Sequence, residues 1–531
     1  MDDRKKTRSR VRGVATSPGI HWVLFSCLFA MLACNLPLTA PPGELPTPEL
    51  ITWWTNTPDP DAPTLETPGP AETVEEFPTA TLPPTVTPPQ DAVIIDNTPY
   101  LYNAQAGDSI YSLAVRFSVL PGEITSPDPF SETGLIRPGQ LLIIPRRLAN
   151  TTSAIKLIPD SDLVHSPSAA LFDTEAFVAA SGGFLSTYRE YLATTGWTNG
   201  AAIVDRIALE NSISPRVLLS LLQYRAGWVY GQPPNNTLEK YPMGLIDTNR
   251  EGLYKQLNWA IGHLSIGYYG WREGLVTEVV FTDGARARLA PDLNAGSVAI
   301  LYYFAQIYGS ADWLAATEPD SGFAALHAGM FESPWDRAAV FEPLLPGGLV
   351  QPEMILPFEM GSTWSFSGGP HGAWGRLGAL AAIDFAPSSM EAGCVPSDEW
   401  VTAAAPGVVV RTGPGLLVLD LDGDGNESTG WALLYLHLAS ENKLENGTWV
   451  TTGQFLGQPS CEGGFSTGTH VHIARKYNGE WISAGGSVPF NLGGWVVSGG
   501  SAPYEGTLAR GDIVIKANQL GTASTLVTRE N

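Results

Sequence analysis

Histidines able to bind a metal are concentrated in one part of this 531-residue sequence. Four of the eight histidines lie among short apolar runs and glycine turns towards the C-terminus: His371, His437, His470 and His472. Histidine is the commonest metal ligand, and a catalytic zinc site typically uses three protein ligands and leaves a fourth position for water. The clustering therefore predicts a metal centre.

Two of these histidines form a His-x-His pair, His470-Val471-His472. On a strand, residues i and i+2 project from the same face, so both imidazoles can enter one site. Such pairs also occur as surface residues or as buried, hydrogen-bonded histidines, so the spacing alone leaves both interpretations open. The apparent strand around His472 and a second strand around His437 favour the metal.

An aspartate provides the acidic partner. Asp384 alternates with apolar neighbours in Ala382-Ile383-Asp384-Phe385, which predicts that it points into the cavity that this strand faces. A buried unpaired carboxylate is costly, and a cation is its natural partner.

Taken together, these residues resemble the lysostaphin/LytM-type peptidoglycan metalloendopeptidases over about Met354 to Trp495. In most members the first histidine stands four residues before the aspartate, but here that position is Leu380. His371, thirteen residues before Asp384, takes its place, as in the beta-lytic, LasA-like branch. The resemblance implies an antiparallel, all-β catalytic domain.

The same resemblance implies a role for each residue. Its three zinc ligands would be His371, Asp384 and His472, and His437 and His470 would flank the attacking water. We expect His470 to act as general base and His437 to stabilise the tetrahedral oxyanion. The two roles could be exchanged, because the sequence does not order them.

Acidic residues at alternating positions follow a strand in this segment. Asp420, Asp422 and Asp424 match the first half of a calcium loop, although position twelve is Trp431 rather than glutamate. Either a Ca2+ site or an ordinary acidic turn in a hairpin explains the pattern, and the turn is the preferred interpretation.

Four cysteines occur in the sequence, and only Cys394 and Cys461 lie beyond the N-terminal segment. An even pair in an exported protein predicts a disulfide, which would contribute roughly 4 kcal/mol in the chain-entropy model. Two free thiols are the alternative.

A small region over residues 98–147 has a different texture. Ile110, Leu113, Ala114 and Phe117 form a helical stripe that Asp108 or Ser109 can cap, and a turn and a strand follow it. The predicted order is strand, helix, second helix, strand.

This region resembles the LysM family in its Gln-x-Gly-Asp-Ser entry and its Pro-Gly-Gln-Leu-Leu-Ile-Ile-Pro exit. The resemblance implies binding to glycans that contain N-acetylglucosamine, chiefly peptidoglycan. The residues implied in glycan binding are Gly107, Asp108, Ser109 and Ile110. The loop Ser126 to Thr133 is longer than usual, and a structural spacer is the alternative.

The middle of the chain, residues 170–345, is predicted to be mostly α-helical. Ser214-Pro215 starts a helix and Gly227 ends it, in a segment that resembles the catalytic helix of lytic transglycosylases and lysozyme-like folds. Such enzymes need a glutamate at the end of that helix, but Arg225 stands there. Glu210 is the nearest acid on the neighbouring helix. We therefore predict an inactive lysozyme-like domain, with an unrelated helical spacer as the alternative.

The N-terminus reads as an export signal. Basic residues precede an apolar stretch that ends in Met31-Leu32-Ala33-Cys34, which resembles a lipoprotein lipobox, although Leu32 stands where a small residue is usual. Residues 1–34 are predicted to be a signal peptide with Cys34 lipidated, and an uncleaved short anchor or plain secretion is the alternative. The proline- and threonine-rich residues 35–95 read as a disordered tether.

The formal net charge of -23 argues against nucleic acid as a partner. The sequence thus predicts a multidomain, extracytoplasmic, membrane-anchored cell-wall hydrolase. Its zinc endopeptidase domain occupies residues 350–500, a C-terminal extension occupies residues 501–531, and its substrate is peptidoglycan. An inactive wall-binding scaffold that regulates other hydrolases is the alternative. The bond cleaved and the oligomeric state do not follow from the sequence.

Overall fold

A computed structural model describes residues 98–388 and 393–530 of the chain. The predicted signal peptide, the lipidation site Cys34 and the tether lie outside the described residues. Among the described residues, no helix combines the length and the apolar character needed to span a membrane.

The first region is a small βαβ unit. It consists of β1 (Tyr100–Asn103), α1 (Ile110–Phe117), a 3-10 turn (Pro121–Glu123) and β2 (Leu141–Ile144). The two strands pair antiparallel, and the predicted stripe on α1 is buried in the core. Ser109 caps α1, whereas Asp108 forms a buried ion pair with Arg116. The predicted second helix is only a single turn that starts at Pro121.

The second region is mostly helical, as predicted. It contains α2 (Asp160–Leu163), α3 (Pro167–Ala170), α4 (Thr174–Ser181), α5 (Phe184–Thr187), α6 (Gly200–Asn211), α7 (Pro215–Ala226), α8 (Asn236–Lys240), α9 (Leu253–Glu273), α10 (Ala295–Ala305), α11 (Ser310–Ala316), α12 (Phe323–Phe331) and α13 (Pro334–Phe341). Two hairpins interrupt it, formed by β3 (Arg189–Leu192) with β4 (Gly196–Asn199) and by β5 (Glu278–Val280) with β6 (Arg286–Arg288).

The boundaries of α7 follow the predicted signals. Pro215 occupies the first turn, and Gly227 adopts the left-handed conformation at the C-terminus of the helix. A 3-10 turn (Thr248–Arg250) precedes α9, which packs along α10.

The third region is antiparallel β-structure. Its strands are β7 (Thr363–His371), β8 (Ala382–Pro387), β9 (Val401–Thr402), β10 (Gly407–Gly413), β11 (Gly415–Asp420), β12 (Trp431–Leu438), β13 (Trp449–Val450), β14 (Phe455–Gly457), β15 (Val471–Tyr477), β16 (Glu480–Trp481), β17 (Asn491–Leu492), β18 (Trp495–Gly499), β19 (Gly506–Arg510), β20 (Ile513–Lys516) and β21 (Leu526–Thr528), and a 3-10 turn (Ala523–Thr525) precedes β21.

The main sheet has the strand order β13-β10-β11-β12-β15-β8-β7-β21, with β16 paired to β15. A smaller sheet has the order β17-β18-β19-β20, and β9 pairs with β14. Residues 501–531, predicted to be an extension, thus supply the edge strand β21 to the main sheet.

Both faces of the main sheet are buried. Side chains on one face, including Leu417, Leu433 and Ile473, form a core within the β-region. Their neighbours on the other face join the hydrophobic core of the helical region. We call this second cluster the shared core; its members from the sheet include Leu416, Val418, Leu434, Leu436 and Ala474.

A buried arginine ties the three regions together. Arg272, near the end of α9, forms ion pairs with Glu480 of β16 (2.8 Å) and Asp160 of α2 (3.0 Å). It also donates a hydrogen bond to the carbonyl of Ala106, which precedes α1.

Candidate metal centre

Three neighbouring strands of the main sheet bring the predicted ligands together. His371 ends β7, Asp384 lies in β8 and His472 lies in β15. The register pairs His472 directly with Asp384, and it pairs His371 with Ala382, two residues away on the same face. All three side chains are buried.

The three ligand atoms converge. Nε2 of His371 and Nδ1 of His472 are 2.9 Å apart, and Oδ1 of Asp384 lies 3.2 Å from the first and 3.3 Å from the second. Ligands about 2.1 Å from a tetrahedral zinc would be about 3.4 Å apart, close to these separations. This group can therefore hold a metal ion.

Hydrogen bonds fix the orientation of both imidazoles. Nδ1 of His371 donates to the Gly369 carbonyl (2.8 Å), and Nε2 of His472 donates to the Ala373 carbonyl (3.0 Å). When both rings are neutral, the facing nitrogens present lone pairs to each other and to a buried Asp384 oxygen that makes no hydrogen bond. Three acceptor atoms in a buried pocket fit a cation.

Electrostatics keep the carboxylate ionised. Burial alone would raise the pKa of Asp384, but the electrostatic influence of the neighbouring imidazoles of His371 and His470 holds it well below its usual range. Burial lowers the pKa of His472, and it lowers that of His437 together with the neighbouring His470 and His472. The ligand His472 is therefore neutral at pH 7, the form in which histidine binds metals. For His371, burial acts to lower the pKa, but the Asp384 carboxylate outweighs it and raises the pKa.

The two predicted catalytic histidines stand beside this group. The rings of His437 and His470 have centroids 4.4 Å apart, and Nε2 of His470 lies 3.8 Å from Asp384 Oδ1. Nδ1 of His437 donates to the Glu462 carbonyl and Nδ1 of His470 to the Gly468 carbonyl, both at 2.8 Å. With each Nδ1 engaged, Nε2 is the free atom of each ring.

His437 has an unusual backbone. Its φ is 64°, a left-handed conformation that side chains other than glycine rarely adopt. The Ser460 amide donates to its carbonyl (2.6 Å) and helps to hold it there. Strained backbone of this kind is frequent at functional sites.

The predicted disulfide between Cys394 and Cys461 is present in the structure. Cys461 precedes Glu462, whose carbonyl orients His437. Residues on either side of Cys394 accept hydrogen bonds from Thr469, at Gly393 O (3.1 Å) and Val395 O (2.5 Å). The bridge thus connects the supports of His437 and His470.

Two parts of the site were missed by the sequence analysis. Tyr504, in the turn between β18 and β19, stacks on the His371 ring with a centroid distance of 4.1 Å. The Ala373 carbonyl belongs to the segment between β7 and β8. No sequence signal marks either one, because any residue can supply a carbonyl and the stacking depends on long-range packing.

The predicted calcium residues form the turn between β11 and β12. Their carboxylate oxygens lie within 4.8 Å of one another. Asp420 accepts the Gly425 amide (2.9 Å), Asp422 accepts the Asp424 amide (3.4 Å), and Asp424 accepts the Thr429 hydroxyl (2.7 Å). These bonds satisfy an acidic turn, and the calcium prediction gains no support.

The segment predicted to bind glycan is buried. Gly107, Asp108, Ser109 and Ile110 are all covered, and the guanidinium of Arg272 lies within 2.6 Å of where a Gly107 Cβ would be. In this arrangement Gly107 lies against Arg272 of the helical region, whereas Asp108, Ser109 and Ile110 bond or pack within their own region. Glycan binding by them stays a prediction.

In the helical region, Arg225 packs on the ring of Tyr308 and donates to its hydroxyl (2.5 Å). Glu210 is buried in an ion pair with Arg206 (2.8 Å). The carboxylate of Glu210 is therefore engaged in an ion pair, and an inactive lysozyme-like domain stays a prediction.

Comparison with known proteins gives a consistent picture. A family model described as "LasA, N-terminal domain" matches residues 156–344. Protease LasA from Pseudomonas aeruginosa strain UCBPP-PA14 is 27% identical over 344 residues, which cover 62% of this chain and 75% of that protein. Protease LasA from strain PAO1 of the same species is 26% identical over 346 residues, with the same shares. The chain is thus similar to protease LasA over 62% of its length.

Similar solved structures include two peptidases. An M23 metalloprotease, pseudoalterin, from the deep sea is 26% identical, with a TM-score of 0.27 over 32% of this chain and 96% of that one. The catalytic domain of the antimicrobial peptidase lysostaphin from Staphylococcus simulans is 25% identical, with a TM-score of 0.16 over 23% of this chain and 85% of that one.

Proposed function

We propose that this LasA-like protein is a zinc-dependent endopeptidase that cleaves peptide stems or cross-bridges of peptidoglycan. The observation that carries the proposal is the convergence of three buried ligand atoms, on His371, Asp384 and His472, within 3.3 Å of one another. The similarity to a relative named as a protease supports peptide cleavage.

The donor set fits zinc. Two imidazoles and one carboxylate are the three protein ligands of many catalytic zinc sites. When bound, zinc would polarise the scissile carbonyl and lower the pKa of a water, so that this water can lose a proton and attack at neutral pH.

Two histidines beside the ligands are assigned the other catalytic roles. We assign proton transfer to His470, because its Nε2 is 3.8 Å from the Asp384 carboxylate, which would stabilise the imidazolium. We assign His437 to the oxyanion that develops on the substrate. The carbonyls of Gly468 and Glu462 hold the two rings in position throughout, so that little reorganisation is needed.

Peptidoglycan as substrate is supported by the sequence resemblances. Residues 98–147 resemble a LysM module, which would hold the peptidase beside a polymer and raise its effective concentration. Since Gly107 to Ile110 are buried, Gly107 against Arg272 of the helical region, glycan binding through them requires this segment to become exposed. The proposal also includes the helical region, as a lysozyme-like domain without catalytic activity.

The location is part of the proposal as well. A signal peptide over residues 1–34 and lipidation at Cys34 would place the protein outside the cytoplasm, at the membrane surface. The disulfide fits an oxidising compartment.

The test uses the exported chain from residue 35 onwards. Zinc content and peptide release from purified peptidoglycan are measured for the wild type, His472→Ala and, as a matched control, His263→Gln in the helical region. Near-stoichiometric zinc and peptide release, both lost only in His472→Ala, are expected. A wild-type protein that binds zinc but releases no peptide would favour the wall-binding scaffold, and one that binds no zinc would refute the proposal.

A further inference from the structure

The carbonyl that orients His472 belongs to a segment that lies on the helical region. Ala373, which accepts the hydrogen bond from His472 Nε2 at 3.0 Å, is in residues 372–380 between β7 and β8. We call these residues the linking loop. A hydrogen bond from the Ala373 amide to the Ala379 carbonyl (3.2 Å) closes the loop on itself.

The linking loop packs directly on α9. A Cβ on Gly262 would lie 3.0 Å from Leu377 Cδ1, and a Cβ on Gly378 would lie 2.6 Å from the Ser265 Cβ. Gly378 also has a φ of 107°, a conformation that favours glycine. Small residues on both sides therefore allow a close approach of loop and helix.

Buried apolar contacts strengthen this attachment. Ala373, Trp374 and Ala379 of the linking loop belong to the shared core, together with residues of the helical region. Trp374 is only 5% exposed. The position of the Ala373 carbonyl is therefore set by packing against the helical region as well as by the β-sheet.

We propose that α9, acting through the linking loop, positions the metal ligand His472. The inference rests on the proposed zinc site and assigns the helical region a part in building it. Groups that orient a metal-bound histidine typically change metal affinity by 10- to 100-fold when they are lost. Gly262 and Leu377 are positioning residues in this scheme, since neither contacts the metal ligands.

The test combines a bulky substitution with a second substitution that compensates for it, both made in the chain from residue 35 onwards. Gly262→Leu places a branched side chain where Leu377 lies and displaces the linking loop. We expect zinc affinity, measured by competition with a chelator, to fall about 10- to 100-fold. The double variant Gly262→Leu with Leu377→Ala creates room again and is expected to regain most of the affinity.

A matched control perturbs the same helix elsewhere. Gly267→Ala forces a Cβ to 2.8 Å from the Cα of Ala299 in α10, away from the linking loop. It is expected to lower the melting temperature while leaving zinc affinity unchanged. A general loss of packing would instead lower zinc affinity in both glycine variants.

The outcomes separate the two proposals. Unchanged zinc affinity in Gly262→Leu, in a folded protein whose wild type binds zinc, overturns the positioning role and leaves the proposed function intact. Reduced affinity that the double variant does not regain also counts against it. A wild type that binds no zinc refutes the proposed function, and the positioning role with it.

Discussion

The described chain contains two buried clusters of histidine and aspartate, and they differ in what each imidazole faces. In the helical region, His327 is bonded on both sides, to the Ser220 hydroxyl (2.7 Å) and to the Asp162 carboxylate, which also accepts from Arg337. In the β-region, His371 and His472 each donate to a backbone carbonyl through one nitrogen and turn the other nitrogen towards each other and towards Asp384.

The comparison separates a structural cluster from a ligand-binding one. Ser220, His327 and Asp162 contain the residue types of a serine-hydrolase triad, yet Ser220 and His327 have no exposed surface at all. A nucleophile without access cannot attack a substrate. The Asp384 oxygen between His371 and His472 makes no hydrogen bond. This buried acceptor without a donor distinguishes the metal centre from the helical cluster.

The largest expected effect is the loss of a metal ligand. Asp384→Asn removes the charge that holds the centre together, so zinc content and peptide release should both fall to background. Metal analysis and a peptide-release assay check this. A variant that retains stoichiometric zinc would mean that the two clusters do not differ in the way described.

Removing the proton acceptor should have the next largest effect. His470→Gln is expected to lower kcat by about 10²- to 10⁴-fold, the usual contribution of general acid-base catalysis, with zinc still bound. Metal analysis beside steady-state kinetics measures both. If His437→Gln lowers kcat far more than His470→Gln, the two roles are exchanged.

Opening the disulfide should have an intermediate effect on activity. The double variant Cys394→Ser with Cys461→Ser frees the supports of His437 and His470, and misplacement of such groups can cost up to about 10²-fold in rate. For a sequence separation of 67, stability should fall by about 4 kcal/mol. Thermal denaturation and kinetics check both, and wild-type protein treated with reductant should behave alike.

The helical cluster should affect stability and leave the metal site unchanged. Burial would raise the pKa of Asp162, but His327 and Arg337 hold it below its usual value. The carboxylate therefore stabilises the fold above the pKa it has in the unfolded chain, and that contribution is lost as the pH falls through its lower folded value.

Asp162→Asn is accordingly expected to cost about 3 to 5 kcal/mol at pH 7 and to flatten the loss of stability on the acid side. Urea denaturation at several pH values measures this, with zinc content recorded in parallel. Asp312→Asn, on the exposed side of α11, is the control and should change neither. A loss of zinc in Asp162→Asn would contradict the separation of the two clusters.

The smallest expected effect concerns the buried LysM-like segment. The Ser109 hydroxyl accepts the Ser112 amide (3.3 Å) as a helix cap. Ser109→Ala should therefore cost about 1 kcal/mol of stability without changing sedimentation with insoluble peptidoglycan. A selective loss of sedimentation would indicate that the segment becomes exposed and binds glycan.

Much of the candidate site could be predicted from local sequence signals. His472 lies in β15 and His470 directly precedes that strand, Asp384 points into the site between apolar neighbours, and Cys394 is bonded to Cys461. Each signal depends on the two-residue period of a strand or on the chemistry of a single residue type. Such properties do not require knowledge of which strands are neighbours.

What the sequence did not reveal depends on long-range pairing. The placement of β8 between β7 and β15 joins residues about a hundred positions apart, and no local pattern sets that order. One signal was available but not used: Leu416 to Leu419 and Ala432 to Leu436 are continuous apolar runs, typical of strands covered on both faces. They pointed to a layer packed on the outside of the sheet.

The shared core has a consequence for how such a chain can be inherited. Because Leu416, Val418, Leu434 and Leu436 are covered by the helical region, a gene fragment encoding residues 350–530 alone would expose an apolar sheet face. An exposed face of this kind promotes aggregation. We therefore expect recombination events that keep the helical and β-regions in one chain to be favoured over those that separate them. We also expect the two regions to unfold in one cooperative transition.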